Sequence, residues 1–172
     1  MIIRPREIID ILSKNGFIKK GDKVAEFGCG GGYFTILLAK QVGDIGKIYA
    51  IDILEDSIKE TQELADLYEV NNIEYLISDI KNLPYEDNYF DLVFISNVLF
   101  QNEVYDKILE SALRIVKEGG FVVVLEPNKK LPFLYGVPIP LDVVRTFFNV
   151  KNKKILFQKI FGDNYYLIVA EK

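Results

Sequence analysis

Short apolar runs alternate with amphipathic stretches along most of this chain. The apolar runs predict strands at residues 23–27, 47–51, 73–77, 89–95 and 121–125. The stretches between them place apolar residues at helical spacing and predict helices at 33–42, 55–70 and 104–117. Repeated strand–helix–strand units with short connections predict a parallel sheet covered by helices on both faces.

The C-terminal part follows a different pattern. Residues 154–161 and 165–170 predict two strands joined by Gly162, Asp163 and Asn164, a composition typical of a hairpin turn. An antiparallel hairpin therefore closes the sheet. The predicted fold is α/β, a Rossmann-like three-layer sandwich with a mostly parallel seven-stranded sheet. The length of 172 residues predicts a single domain over 1–172.

A glycine-rich loop follows the first predicted strand, in the sequence Glu26-Phe-Gly-Cys-Gly-Gly-Gly. Glycines permit a tight turn and let a ligand approach the backbone closely. The spacing Gly28, Gly30, Gly32 departs from the dinucleotide fingerprint GxGxxG, which requires glycine where Tyr33 stands. The upstream carboxylate also disfavours a pyrophosphate. The sequence lacks GxxxxGK[ST], so the loop is not predicted to be a Walker-type phosphate loop.

Acidic residues end the next two predicted strands. Asp52 suits the two hydroxyls of a ribose, and Asp79 suits an exocyclic amine. The alternatives are a helix N-cap for Asp52 and a turn cap for Asp79. Because the carboxyl ends of neighbouring parallel strands adjoin, Glu26, Asp52 and Asp79 are predicted to meet at one edge of the sheet.

In this ordered set of motifs the chain resembles the class I S-adenosylmethionine-dependent methyltransferases. The set comprises the acid-plus-glycine loop, both aspartates, the strand FDLVFISNVL and the lead-in LRIVKEGG. It covers about residues 20–126, and the C-terminal hairpin matches the last two strands of that family. The resemblance implies S-adenosylmethionine as cofactor. It also implies these cofactor-binding residues: Glu26, Gly28, Cys29, Gly30, Gly32, Asp52, Ile53, Asp79, Ile80 and Ser96.

By the same resemblance, the glutamate and the glycine loop hold the methionine part of the cofactor. The first aspartate binds the ribose, and the second meets the adenine edge. Ile53 would pack on the adenine, Ile80 would lie at its edge, and Ser96 would contribute backbone near the methionine end.

Composition limits the catalytic chemistry. The chain has no His, which removes the usual general base and any His-activated nucleophile. Its single Cys29 is predicted to be a loop residue, and no metal site is predicted. A sulfonium already activates its methyl group, so alignment and exclusion of water suffice. The catalytic residues stay unknown, with Asn97, Gln101 and Tyr135 as candidates.

Each of these candidates has an alternative. Asn97 and Gln101 either orient the acceptor or cap the next helix. Tyr135 or Glu126 would serve as a base only for a weak nucleophile.

The acceptor side is predicted at residues 126–148. Four prolines in 126–140 predict an ordered loop, and the loop leaves the carboxyl end of the fifth strand, where ligands bind in such sheets. The predicted pocket walls are Phe133, Leu134, Tyr135, Phe147 and Phe148. The alternative is that these side chains cover the core or form a dimer contact.

Charge and hydropathy bear on partners. The net charge of −4 disfavours a strongly basic nucleic-acid binder, so we expect a small, partly apolar acceptor, with RNA or protein as alternatives. The sequence shows neither a signal peptide nor a membrane span, and we expect a cytoplasmic protein. A non-catalytic cofactor-binding module and a nicotinamide-dependent dehydrogenase are further alternatives; the glycine spacing argues against the dehydrogenase. The oligomeric state stays open.

Overall fold

The computed structural model describes residues 3–132 and 134–172, which form five helices, seven strands and one short 3-10 helix. The helices are α1 Pro5–Lys14, α2 Tyr33–Val42, α3 Glu55–Leu67, α4 Tyr105–Ile115 and α5 Leu141–Val150, and the 3-10 helix is Leu99–Gln101. The strands are β1 Lys23–Phe27, β2 Lys47–Asp52, β3 Ile73–Ile77, β4 Phe90–Ser96, β5 Val116–Pro127, β6 Lys154–Phe161 and β7 Tyr165–Glu171.

All seven strands belong to one sheet in the order β3-β2-β1-β4-β5-β7-β6. The first five strands pair in parallel, and β7 lies antiparallel between β5 and β6. This arrangement confirms the predicted mostly parallel sheet with a C-terminal hairpin. The strand order reverses between β1 and β4, and the carboxyl ends of these strands leave a crevice there.

Alternate residues of each central strand face opposite layers of helices. Val24 of β1 is fully buried with Leu12 of α1 and Leu38 of α2. Its neighbour Ala25 packs instead in the cluster that contains Ile108 of α4 and Val144 of α5. Both faces of β1 are therefore buried, which explains why the consecutive residues Val24 and Ala25 are both apolar.

Several elements differ from the sequence-based prediction, which did not include helix α1 and continued α3 to residue 70 instead of Leu67. Helix α5 was not predicted, although Leu141, Val144 and Phe148 place its buried side chains at helical spacing. Helix α4 ends at Ile115 instead of continuing to residue 117, because β5 begins directly at Val116. None of the helices within residues 3–132 and 134–172 has the length and apolar character needed to cross a membrane.

Candidate functional site

A cavity of about 730 Å³ opens along the carboxyl edge of the parallel strands. Strand order arranges its lining, because residues that end β3, β2, β1, β4 and β5 follow one another along this edge. The structure brings most of the predicted site residues to the cavity: Glu26, Gly28, Cys29, Gly30, Asp52, Ile53, Asp79, Ile80, Ser96, Asn97 and Gln101. Among the described residues, Gly32 and Tyr135 do not line it.

The glycine loop turns sharply between β1 and α2. The backbone at Gly28 has φ of +71°, and a Cβ there would lie 2.5 Å from Cγ2 of Val98. At Gly32, φ is +82° and a Cβ would lie 3.0 Å from the backbone of Thr61. Only glycine satisfies both the positive φ and these close approaches. The loop is therefore pressed between α3 and the segment that follows β4.

Glu26 is a buried carboxylate at the end of β1. It is 2% exposed and accepts a hydrogen bond of 2.6 Å from the Thr35 hydroxyl of α2. Burial raises the pKa of Glu26 to about 8, against the lowering effect of that hydrogen bond and with a smaller contribution from Asp52. Because Glu26 also lines the cavity, it is placed to accept a hydrogen bond from a cationic or donating ligand group.

Thr61 of α3 holds the same loop from the other side. Its hydroxyl lies 2.8 Å from the carbonyl oxygen of Gly30, to which it donates, and 3.6 Å from Sγ of Cys29. Burial, with a smaller contribution from Glu26, raises the pKa of Cys29 to about 12, so the thiol stays protonated at neutral pH. Cys29 is thus an unactivated loop residue.

Asp52 ties the end of β2 to the glycine loop. Its Oδ2 accepts from the backbone N–H of Gly30, and its Oδ1 accepts from that of Leu54, both at 3.0 Å. A carboxylate has about four lone-pair positions, so these two bonds leave capacity for a ligand. Ribose binding by Asp52 therefore stays a prediction that the geometry permits.

Asp79 lies beyond β3 at the same edge and is more open. Its Oδ1 accepts from the backbone N–H of Lys81 at 2.9 Å, and its Oδ2 lies 3.3 Å from the Lys81 ammonium. These contacts, led by the backbone hydrogen bond, lower the pKa of Asp79. The alternative turn-cap role is therefore present in the structure, alongside a position in the cavity wall.

The segment after β4 forms the middle of the cavity wall. The backbone of Asn97 has φ of +57°, and its carbonyl oxygen accepts from Nε2 of Gln101 at 2.6 Å. Nδ2 of Asn97 donates to Oγ of Ser96 at 3.1 Å. Its Oδ1 is the one buried side-chain polar atom without a partner in residues 3–132 and 134–172. An unpaired buried oxygen in a cavity wall is suited to accept from a bound ligand.

The remaining cavity wall includes apolar and aromatic side chains from distant parts of the chain. Ile3 precedes α1, Phe34 belongs to α2, Leu125 ends β5, Leu131 follows it and Tyr165 begins β7. Sequence reasoning missed all but the general location of Leu131, because no local motif connects these positions. Burial, followed by the charge of Glu126, raises the pKa of Tyr165, which therefore keeps its phenolic proton at neutral pH.

The predicted aromatic wall at 126–148 is largely wrong. Tyr135 is 95% exposed, whereas Phe148 lies on the inner face of α5 and is fully buried in the core. Phe147 packs against that core and borders a separate surface groove, and Leu134 is absent from the described cavity lining. Phe133 lies outside the described residues. From the segment's described part, Leu131 reaches the cavity.

Comparison with known proteins decides the family. A family model described as a methyltransferase domain matches residues 18–171. The chain belongs to this methyltransferase-domain family. It is 35% identical over 112 residues to the demethylmenaquinone methyltransferase of Bacillus mycoides, an alignment that covers 65% of this chain and 47% of the relative. The chain thus spans about half the length of the curated relatives it matches.

Solved structures match nearly the whole methyltransferase domain. A SAM-dependent methyltransferase from Aquifex aeolicus superposes with a TM-score of 0.82 at 22% identity, covering 98% of both chains. The [4+2]-cyclase SpnF gives 0.83 at 16% identity, covering 96% of this chain and 80% of its own. At these identities the likeness shows the fold, and the cyclase illustrates that the fold alone does not determine the reaction.

The family assignment confirms the resemblance to the class I methyltransferases, whose cofactor is S-adenosylmethionine. The polar groups that line the cavity fit this molecule. The carboxyl groups of Glu26, Asp52 and Asp79 follow one another along the edge, in the order in which an ammonium group, a ribose and an exocyclic amine would need them. The missing Cβ at Gly28 leaves the loop backbone close to the cavity. The individual contacts of these residues with the cofactor stay predictions.

Proposed function

We propose that this methyltransferase domain transfers a methyl group from S-adenosylmethionine to a small, partly apolar acceptor. The observation that carries the proposal is the two-part character of the cavity. Its acidic part, which we call the cofactor part, lies over β3, β2 and β1. Its apolar part, which we call the acceptor part, lies over β4, β5 and β7, where Leu125, Leu131 and Tyr165 stand beside uncharged polar residues and the described lining has no charged side chain. A cavity of about 730 Å³ is within the size range of small-molecule sites.

In the proposed arrangement, a small molecule in the apolar part would lie beside the methionine end of the cofactor. Ser96 and Asn97 stand at the boundary between the two parts, since Ser96 ends β4, the strand next to β1, and Asn97 follows it. Leu125, Leu131 and Tyr165 lie on the far side of that boundary. Apolar walls there exclude water and restrict the acceptor to a few orientations, which is the main protein contribution to a methyl transfer.

The titratable groups favour an acceptor that is nucleophilic without a strong base. The cofactor supplies a methyl group already activated by its sulfonium. Both carboxylate oxygens of Glu126 accept backbone hydrogen bonds inside the protein, so this residue is not free to take a proton from the acceptor. Tyr165 lines the cavity with its phenolic proton in place at neutral pH, so it does not supply a strong base either.

The relatives support a small molecule as acceptor. The Bacillus mycoides relative is named for demethylmenaquinone, and a short-chain demethylmenaquinone analogue is therefore the first acceptor to try. The overall charge of −4 gives no support to an RNA acceptor.

Methyl-labelled S-adenosylmethionine tests the proposal directly. The full chain is incubated with the label and, in separate reactions, the quinone analogue, a panel of small phenols and amines, total RNA and a protein mixture. We expect label in an organic-extractable small product. Label in RNA or protein alone would contradict the proposed acceptor class. Binding of the demethylated cofactor without transfer to any acceptor would indicate a non-catalytic module.

A further inference from the structure

The carboxylate of Glu126 is fully buried and accepts hydrogen bonds from the backbone of another segment. It lies at the end of β5, is 0% exposed and has no ion-pair partner among the described residues. Its Oε1 accepts from the backbone N–H groups of Val98 and Leu99 at 2.6 and 2.9 Å, and its Oε2 accepts from that of Phe100 at 3.4 Å. A buried charge is costly unless hydrogen bonds of this kind compensate it.

The segment that Glu126 holds is the one that divides the cavity. Residues 97–101 start at the left-handed Asn97 and continue into the 3-10 helix. This conformation leaves three successive N–H groups pointing the same way, and a helix start has no backbone partner for them. The carboxylate takes the place of that missing partner.

The same segment also shapes both of its neighbours. The Val98 side chain lies so close to Gly28 that a Cβ on the glycine would be 2.5 Å from it. On the other side, the carbonyl oxygen of Phe100 accepts from Val137 N at 2.9 Å and so fixes the loop after β5. A shift of residues 97–101 would therefore move the glycine loop contact and the apolar wall together.

We propose that Glu126 is a positioning residue, whose carboxylate holds residues 97–101 against the glycine loop and thereby sets the spacing between the cofactor and acceptor parts of the cavity. The inference rests on the proposed function for its meaning in catalysis. The proposed position of residues 97–101 also affects cofactor binding, and cofactor binding can be measured without any acceptor.

Amide hydrogen exchange on the full chain tests the first step. In the wild type, we expect the amides of Val98, Leu99 and Phe100 to be protected, because all three donate to the buried Glu126. The variant Glu126→Ala is expected to exchange these three amides faster by about tenfold or more, because each loses a buried acceptor. Asn72→Ala is the matched control, since Asn72 also holds a turn through its side chain, by donating to the carbonyl oxygens of Ala39 and Gly43 at 2.9 Å. It lies away from the cavity and is expected to leave exchange in 97–101 unchanged.

Affinity for S-adenosylhomocysteine tests the second step. Calorimetry is expected to show about tenfold weaker binding for Glu126→Ala and unchanged binding for Asn72→Ala. If Glu126 contributed to general stability alone, Glu126→Ala and Asn72→Ala would both lower the unfolding midpoint, and the two variants would not differ in affinity for S-adenosylhomocysteine. Unchanged affinity or unchanged local exchange in a folded Glu126→Ala variant would overturn the proposal.

Glu126→Gln keeps the test decisive if the alanine variant does not fold. The amide oxygen of Gln can still accept from Val98 and Leu99, while its NH2 group faces the N–H of Phe100, which loses its acceptor. We expect faster exchange at Phe100 only and an affinity for S-adenosylhomocysteine restored to within about threefold of wild type. Wild-type exchange at all three amides would count against the proposal. Amide exchange and affinity for S-adenosylhomocysteine are both measured without an acceptor. Failure to find methyl transfer would therefore contradict the proposed function without deciding the role of Glu126.

Discussion

Two buried glutamates end strands on either side of the point where the strand order reverses, and the protein uses them in opposite ways. Glu26 accepts a hydrogen bond from one side chain, that of Thr35, and lines the cavity. Glu126 accepts three hydrogen bonds from backbone N–H groups and is completely enclosed. The first carboxylate is available to a ligand, whereas the second organises the chain that surrounds the ligand.

The comparison extends to the two parts of the cavity. Side chains at or just beyond strand ends form the cofactor part, so the sheet itself spaces Glu26, Asp52 and Asp79. The acceptor part is assembled from segments that are far apart in the chain, and it depends on residues such as Glu126 to hold them. Substitutions in the two parts should therefore have different effects. A substitution in the cofactor part should remove a ligand contact, whereas a substitution in the acceptor part should change the shape of the cavity.

The largest effect is expected at Gly28, where the two parts touch. Gly28→Ala places a Cβ into Val98 and also requires a positive φ, which together should destabilise the fold by about 3 kcal/mol or more and abolish measurable cofactor binding. Chemical denaturation and calorimetry with S-adenosylhomocysteine measure both effects. Gly119→Ala is the control, because it has a similar φ of +75° with open space around it. It should cost about 1–2 kcal/mol of stability and leave binding intact.

A Gly28→Ala variant that binds normally would show that Val98 yields easily. Residues 97–101 could then move away from the glycine loop at little cost, and holding them through Glu126 would matter little for cofactor binding.

A pH dependence of stability is the next largest expectation. Burial raises the pKa of Glu26 to about 8 and that of Glu126 to about 7, so both are protonated more readily in the folded than in the unfolded chain. Their stabilising contribution is fully present below the unfolded pKa near 4.5 and is lost as the pH rises through 7 to 8. The unfolding free energy should therefore fall between pH 5 and pH 9.

The variant Glu26→Gln separates the contribution of Glu26 to this pH dependence of the unfolding free energy. The amide is neutral at every pH and still accepts from the Thr35 hydroxyl, so the decline should shrink by a magnitude on the order of 3 kcal/mol. Urea unfolding at several pH values measures it. Parallel stability curves for wild type and variant would show that Glu26 ionises normally and that its burial does not govern its charge.

Asp52 sharpens the contrast on the cofactor side. Asp52→Ala removes the acceptor for the N–H of Gly30 and the predicted ribose contact, and should weaken S-adenosylhomocysteine binding by about 1–3 kcal/mol with the fold retained. Asp22→Ala is the control, because Asp22 likewise accepts a backbone hydrogen bond, from Lys19 at 2.8 Å, but does not belong to the described cavity lining. Equal affinity in the Asp52→Ala variant would mean that this carboxylate serves the loop alone.

The sequence predicted the sheet, and the meeting of Glu26, Asp52 and Asp79 at one edge of it, for the same physical reason. Strands buried on both faces are apolar at nearly every position, and parallel strands bring their carboxyl ends to one edge, so motifs at strand ends can be placed without side-chain detail. The hydroxyls of Thr35 and Thr61, which hold Glu26 and Gly30, could not be found this way. A single Thr inside an amphipathic helix carries no pattern that reveals its partner.

The acceptor part was beyond prediction from local patterns. Its proposed wall combines Leu125, Leu131 and Tyr165, and only the tertiary fold brings them together. The aromatic residues of 141–150 suggested a pocket because helix α5 was not recognised. Its buried face, with Phe148 fully enclosed, belongs to the core.

The smallest expected effect decides between the two locations of the acceptor pocket. Leu131 is 7% exposed and lines the cavity, whereas Tyr135, four residues along the same loop, is 95% exposed and lies outside the described lining. Leu131→Ala removes apolar surface from the acceptor wall and should raise the KM for an apolar acceptor several-fold, corresponding to about 1 kcal/mol, with cofactor affinity unchanged. Tyr135→Ala should leave both quantities at wild-type values. The measurement is steady-state methyl transfer at saturating S-adenosylmethionine, using an acceptor identified by the labelling experiment. If Tyr135→Ala impaired transfer and Leu131→Ala did not, the outer face of the loop would bind the acceptor, and the apolar part of the cavity would have another occupant.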